Sequence, residues 1–353
     1  MKTLNDRVPA LLARARTLLK LPGGPPDELG RGELAKAADA VSALHDGLVG
    51  ARPLAQPSTY DSPRHLGAYL LWWWPQTYAK TQAALALAPM PRRPRILDLG
   101  AGPAPAAIAA LDALGGEALA VDASALALTE ARALGGLQTE QRDLAAGAFP
   151  AGEFQLTLAA NVLCELPAAR RAELVRSLSG VVVIVEPALR ETGRALLELR
   201  DLLLASGEWK ALAPCLTQKP CPALAAPKDW CTAEKRWKPP RHIVQLAEAT
   251  GLRADELLSF APLVLAREVA APDPSLWRVV GVPPPESGKA RYFICNDQGR
   301  VPLVRLHKHA TAANAAFAEL ERGDRVRLAG TEERGDGLRV LPESVVQKVE
   351  GLE

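Results

Sequence analysis

The sequence predicts an α/β protein: N-terminal helices, a Rossmann-like parallel sheet, a cysteine-rich insert and a C-terminal OB-like β-barrel. Three observations predict it. A short apolar strand, a paired-glycine turn and an Ala-rich helix follow one another over residues 95–114. Apolar strands then alternate with Ala/Leu-rich helices to about Arg200, as in a parallel sheet with crossover helices. Residues 277–350 read as three strands, a helix and two strands, the order of an OB-like barrel. The divisions expected are 1–90 (helical), 91–205 (Rossmann-like), 206–276 (cysteine-rich, returning to the Rossmann-like domain) and 277–353 (barrel).

The first fifty residues read as two helices. Leu11, Leu12, Ala15, Leu18 and Leu19 keep helical spacing, Pro22-Gly23-Gly24-Pro25-Pro26 stops the run, and Glu33 to Leu48 resumes it. Hydrophobic content of 48% against 23% charged residues fits a globular chain, and no run approaches the roughly 20 apolar residues of a membrane span. Lys2, Arg7, Arg14 and Arg16 interrupt the N-terminus, so no secretory signal is read, and the Ala/Arg/Gly/Pro-rich composition points to a bacterial cytoplasmic protein, or a mitochondrial one if eukaryotic. Lys+Arg of 42 against Asp+Glu of 40 leaves +2, so nucleic-acid binding must come from local patches.

Strands are expected at 95–98, 118–122, 137–142, 154–160 and 181–186. In the first of these, Leu97-Asp98-Leu99-Gly100-Ala101-Gly102-Pro103 turns sharply into a helix N-terminus, where backbone N–H groups can approach a ligand. The next strand ends at Asp122, whose carboxylate can accept from both hydroxyls of a ribose. An ordinary tight turn between strand and helix is the alternative. The D-x-G-x-G pattern resembles motif I of the class I methyltransferases, which bind S-adenosylmethionine, with Ala104 where the third glycine is usual. That resemblance assigns Asp98, Gly100, Gly102 and Asp122 to the cofactor, places Asp143 near its adenine, and makes Asn161 to Leu166 a substrate-contacting segment. The segment lacks the Asn-Pro-Pro-Tyr or Asp-Pro-Pro-Tyr signature of base-nitrogen methylation, and no catalytic base is assigned.

Before this sheet, Tyr60, Tyr69, Trp72, Trp73, Trp74 and Tyr78 cluster on a helical stretch around Pro75. Such a cluster either fills the gap between helices and sheet or shapes a substrate mouth.

Cys215, Cys221 and Cys231 follow a Cys-x5-Cys-x9-Cys spacing amid Pro, Lys and Asp, where a metal or cluster site is expected rather than core filler. The fourth ligand is one of Cys295, Cys164 or His242. Four thiolates suit structural zinc or an iron–sulfur cluster, and the wide spacings with Pro222 after Cys221 favour [4Fe–4S]. With Cys295 as fourth ligand the site would staple the last domain to the cysteine segment. On that domain Lys289, Arg291, Arg300, Arg305, His307, Lys308 and His309, with Tyr292 and Phe293 interleaved, predict a face for single-stranded RNA, the alternative being a solvated strand face. Lys235 to His242 form a second basic, Trp-containing patch.

From about Tyr60 onward the chain resembles the methyltransferase-like family associated with the mitochondrial small ribosomal subunit and its bacterial relatives. The resemblance rests on Leu97 to Pro103, Gln76-Thr77-Tyr78-Ala79, Cys215, Cys221, Asp229-Trp230-Cys231, and Cys295 with the Asp297-Gln298-Gly299 turn. It implies an S-adenosylmethionine-binding assembly or translation factor that binds small-subunit rRNA, with Cys215, Cys221, Cys231 and Cys295 as ligands of a [4Fe–4S] cluster. The alternatives are an active methyltransferase on rRNA or a small molecule, and a zinc- or cluster-bearing RNA-binding module with a vestigial cofactor pocket.

Overall fold

Arg95–Leu99 (β1) is buried after exposed Arg95 and apolar there apart from Asp98, so it takes the centre of a sheet. The computed structural model describes residues 2–48, 57–150, 152–268, 270, 273–284 and 286–349. They fall into two units: Met1–Ala86, Met90–Glu186 and Lys235–Leu258 in one, Leu87–Pro89, Pro187–Glu234 and Ser259–Glu353 in the other.

In the first unit, α1 (Leu4–Leu19), α2 (Arg31–Leu48) and α3 (Pro63–Leu85) precede β1. Val8, Leu11, Leu12, Ala15 and Leu19 are the buried stripe of α1. α3 starts where Ser62 accepts the His65 N–H and Pro63 supplies a preset first turn, and it continues through Pro75. There follow α4 (Pro105–Leu114), β2 (Glu117–Asp122), α5 (Ala125–Gly135), β3 (Gln138–Gln141), β4 (Leu156–Ala160), α6 (Ala168–Arg176) and β5 (Val181–Pro187). The five strands lie in the order β3-β2-β1-β4-β5, every pair parallel. All five stand where the sequence predicts them, and the fold is Rossmann-like α/β. Strand order reverses between β1 and β4, so the crevice beyond their C-terminal ends is where such sheets hold ligands.

The second unit starts with α7 (Arg190–Ala205) and β6 (Lys210–Ala213). The chain then runs through β7 (Ala233–Arg236), α8 (Arg241–Thr250) of the first unit, and β8 (Leu257–Ala266), which pairs antiparallel with β6. β9 (Leu276–Gly281), β10 (Lys289–Asn296), β11 (Gly299–Leu306), β12 (Arg325–Ala329), β13 (Glu332–Arg334), β14 (Gly337–Val340) and β15 (Val345–Val349) form a second sheet ordered β13-β14-β11-β10-β9-β12-β15. β14 runs parallel to β11; the other neighbours are antiparallel. Its core packs Val279, Ile294, Leu303, Phe317, Val326 and Val340.

Two expectations for this sheet are corrected. The helix expected near 310–321 is a pair of 3-10 turns, His307–His309 and Ala312–Glu319. Asn314 is buried inside it at φ −117°, accepting from the Thr311 N–H and donating to the His309 and Leu341 carbonyls. Its side chain thus replaces the helical pattern that the alanines favour. Tyr292 and Arg305 also leave the expected RNA face: Tyr292 packs edge-on against Phe317 at 4.9 Å, and buried Arg305 donates to Asn314. Strand alternation turns Tyr292 inward and leaves Phe293 outward.

Candidate functional site

The crevice of the first sheet is built on left-handed backbone. Gly100, Gly102 and Ala104 have φ of 60°, 54° and 54°. A Cβ on Gly100 would lie 2.2 Å from Val162 Cγ2, so glycine is forced by close approach. Around Gly102 nothing lies within 4 Å of a Cβ, so the loop leaves an open cradle. Ala104 takes the third glycine's place in the same left-handed conformation, at a cost of about 1–2 kcal/mol.

Asp122 Oδ2 accepts the Gly102 N–H at 2.7 Å and Oδ1 the Ser124 N–H at 2.8 Å. Each oxygen keeps a second lone pair, the acceptor pair a ribose diol needs. Burial raises the Asp122 pKa against those two hydrogen bonds. Asp98 is buried; Oδ2 accepts the Ala107 N–H at 3.0 Å in the first turn of α4, while Oδ1 has no partner. Burial pushes its pKa up to about 7. Asp143 is exposed on the loop after β3, where its carboxylate accepts the Ala145 N–H at 2.8 Å.

The aromatic cluster divides. Trp72, Trp74 and Tyr78 are buried; Trp74 stacks on Tyr78 at 5.4 Å and donates its indole N–H to the Pro103 carbonyl at 3.0 Å, holding the glycine loop from behind. Tyr60, Tyr69 and Trp73 are only half-buried and form a chain with centroid spacings of 5.1 and 6.5 Å. Burial raises the hydroxyl pKa of Tyr60 and Tyr69, and the negative field of Glu165 and Asp122 adds to it. At the exit of β4, Asn161 is left-handed at φ 59°. Leu163 and Cys164 donate their N–H groups to Glu186 at 2.9 and 3.2 Å. Glu186 is buried, which pushes its pKa up to about 7. Sequence reading missed the loop-holding roles of Trp74 and Glu186, because neither belongs to a local motif.

In the second unit, Cys215, Cys221, Cys231 and Cys295 line one cavity of about 40 Å³ with Arg200, Arg278 and Arg300. Neither other candidate for the fourth ligand is in that lining. Cys164 points its thiol at the Asn161 carbonyl, and buried His242 bonds the Leu71 carbonyl at 3.1 Å. Burial holds His242 down at about 4. Among the described residues no group of three or more His, Cys, Asp or Glu side chains is set to hold a metal ion. The four thiols share a cavity without forming a cage.

The loop bearing two of them is anchored to α7 and β10. Fully buried Arg200 donates to the Thr217 and Lys219 carbonyls at 2.5 and 2.9 Å, and Asp201 accepts the Cys221 N–H at 2.8 Å. Thr217 donates to Asp297 at 2.6 Å. Burial pushes the Cys221 thiol up to about 11 and the Cys295 thiol up to about 12, each raised further by neighbouring cysteines. A cation among them would reverse that logic, since a coordinating thiol is deprotonated outright. Four thiolates around a doubly charged centre would leave a net negative charge beside Arg200, Arg278 and Arg300, of which Arg200 and Arg300 already pair with Asp201 and Asp229.

Three of the seven basic residues of the expected RNA face are ion-paired: Lys289 and Arg291 meet Glu286 at 3.0 and 2.7 Å, and Arg300 meets Asp229. Of the second basic patch, Trp237 donates its indole N–H to the Asp255 carbonyl at 2.7 Å and Arg241 pairs with Glu28 at 2.7 Å.

Comparison with known proteins places this chain. No curated protein sequence matches it. Among solved structures, a TehB-like S-adenosylmethionine-dependent methyltransferase from Corynebacterium glutamicum shares 18% identity, over 54% of this chain and 88% of its own, at a TM-score of 0.34. A ribosomal protein L11 methylase from Lactobacillus delbrueckii shares 18%, over 55% and 78%, at 0.32. A Geobacter sulfurreducens methyltransferase in complex with S-adenosyl-L-homocysteine shares 17%, over 55% and 91%, at 0.32. The family model for Rsm22, mitochondrial small ribosomal subunit, matches residues 64–339, which include the glycine loop, both acids and all four cavity cysteines. The chain belongs to the Rsm22 family of the mitochondrial small ribosomal subunit.

Proposed function

We propose that this protein is a methyltransferase-like, S-adenosylmethionine-binding factor of the small ribosomal subunit that binds rRNA and carries a [4Fe–4S] cluster. Family membership supports the ribosomal part. The observation that carries the cluster is the convergence of Cys215, Cys221 and Cys231, close together in sequence, with distant Cys295 on one arginine-lined cavity. In the first unit Gly100 and Gly102 make the loop, Asp122 takes the ribose, Asp98 offers its unpartnered oxygen near the helix N-terminus, and Asp143 stands toward the adenine. When bound, S-adenosylmethionine would supply an electrophilic methyl group; the residues named here bind and orient it. The OB-like reading of the second sheet is supported by its Greek-key strand order, with β9 between β10 and β12 and β14 returning parallel to β11. A [4Fe–4S] centre fits the wide cysteine spacing better than zinc, which remains the alternative metal.

Gly102 separates a binding loop from an ordinary turn. Gly102→Ala costs about 1–2 kcal/mol of backbone strain and meets no neighbour, yet its methyl fills the open cradle. Calorimetry with S-adenosylmethionine should show binding by the wild type and its loss in Gly102→Ala and in Asp122→Ala, both still folded. Wild-type protein that binds no cofactor would leave the vestigial-pocket alternative standing.

A further inference from the structure

We propose that unpaired nucleotides bind along a track on the outer face of β10, β11 and β14, with Trp230 and Phe293 as stacking platforms. This rests on the rRNA reading above and narrows it to a site and a class of RNA. Two open grooves meet at Phe293. One, of about 420 Å³, runs past Trp230, Lys228 and Arg322; the other, of about 360 Å³, runs past Arg291, Arg334 and Arg339. Both lie within the second unit.

Strand register explains the alignment. Arg291, Phe293 and Cys295 alternate with core residues along β10, opposite Val304, Pro302 and Arg300 of β11, and Arg339 stands beside Val304. From position 291 to 295 is roughly 13 Å of strand, long enough for more than one base. Phe293 carries Arg300 4.5 Å from its ring centroid and lies against Gly281, where a Cβ would come to 3.2 Å from its Cδ2; it lines both grooves. Trp230 is 37% exposed and rests against Gly193, where a Cβ would come within 3.0 Å of its Cδ1.

Charge decides what the track can hold. Arg291, Arg300 and Arg322 already have acids: Glu286, Asp229 and Glu234. Lys228, Arg334 and Arg339 have no ion pair among the described residues, and the buried Nε of Arg339 has no hydrogen-bond partner. Asp336 also lines the second groove, and Glu332 faces Arg339 across the strands. Three free cations beside two aromatic faces favour a single strand, bound by stacking with modest phosphate contact. A duplex shows its phosphates and hides its base faces.

The test is fluorescence anisotropy on the full, anaerobically purified chain with a labelled single-stranded RNA of about ten nucleotides and a duplex of equal length. The single strand should bind more tightly, with a log–log salt slope near −2 for about three phosphates. Trp230→Leu and Phe293→Leu should each weaken it about tenfold. The double variant Arg334→Gln/Arg339→Gln should reduce the slope by roughly 1.4. Trp230 borders the cysteine cavity, so if its variant fails to fold, Phe293→Leu and the arginine pair carry the test. Wild-type binding that these variants leave unchanged would overturn the track while the rRNA reading stands. So would equal affinity for the duplex, or displacement of the RNA by polyglutamate at equal charge, which would make the track a protein-docking surface. A wild type that binds neither RNA would overturn both.

Discussion

The two candidate sites are built in opposite ways. In the first unit the ligand-facing groups sit on one short stretch and are fixed by backbone: Gly102 and Ser124 N–H groups on Asp122, Ala107 N–H on Asp98, Trp74 on the Pro103 carbonyl. In the second, three thiols from residues 215–231 and a fourth from β10 make no cage; buried Arg200 and its neighbour Asp201 hold their surroundings instead. A site written in local sequence is already shaped before its ligand arrives. One that draws its fourth group from another strand would leave its final geometry to the ligand, whose binding energy would then become folding energy.

The first unit should therefore break by local strain. Gly100→Ala adds a left-handed alanine and drives its methyl into Val162, which is itself buried. Strain of about 1–2 kcal/mol plus overpacking of about 1–3 kcal/mol predicts a loss of roughly 2–5 kcal/mol in urea unfolding, against the small cost of Gly102→Ala. Equal stability of the two variants would dissolve the distinction between forced and open glycine.

A smaller effect sharpens the same contrast through pH. Burial lifts folded Asp98 to about 7, above its unfolded value, so the native state holds that proton more tightly. Its contribution is fully present below about pH 4 and is lost as pH rises through about 7. His242, held down at about 4, acts with the opposite sign between about pH 4 and 6.5, so the measurement must be a difference. The stability of Asp98→Asn relative to wild type should rise from pH 4 to 7 and then level off. A difference that stays flat would mean Asp98 is not buried as a charge.

What could be read from sequence follows the same division. β1, β2 and β5 are legible because apolar runs end at a glycine or an acid, whereas polar β3 (Gln138–Gln141) is placed by the alternation of helix and strand around it. Asn314 defeated the alanine-rich helix because its bonds go to residues that only the folded sheet supplies. Tyr292 and Phe293 are neighbours in sequence and opposites in the structure, since which face is inward depends on the register of β10. β6 and β8 were not read as strands at all; they sit in the segment expected only to return to the Rossmann-like domain. The cysteine spacing drew attention to Cys215, Cys221 and Cys231, but Arg200 and Arg278 beside them carry no signal of their own.

Anaerobic purification followed by absorption spectroscopy and iron, sulfide and zinc analysis, on wild type and Cys295→Ser, tests the central claim that Cys215, Cys221, Cys231 and distant Cys295 hold one centre. Broad absorbance near 400 nm with about four irons per chain, as a four-iron cluster requires, lost in Cys295→Ser together with protease resistance of the second sheet, is the result this account predicts. Wild-type protein without iron or zinc, or a metal content that Cys295→Ser leaves unchanged, would contradict it.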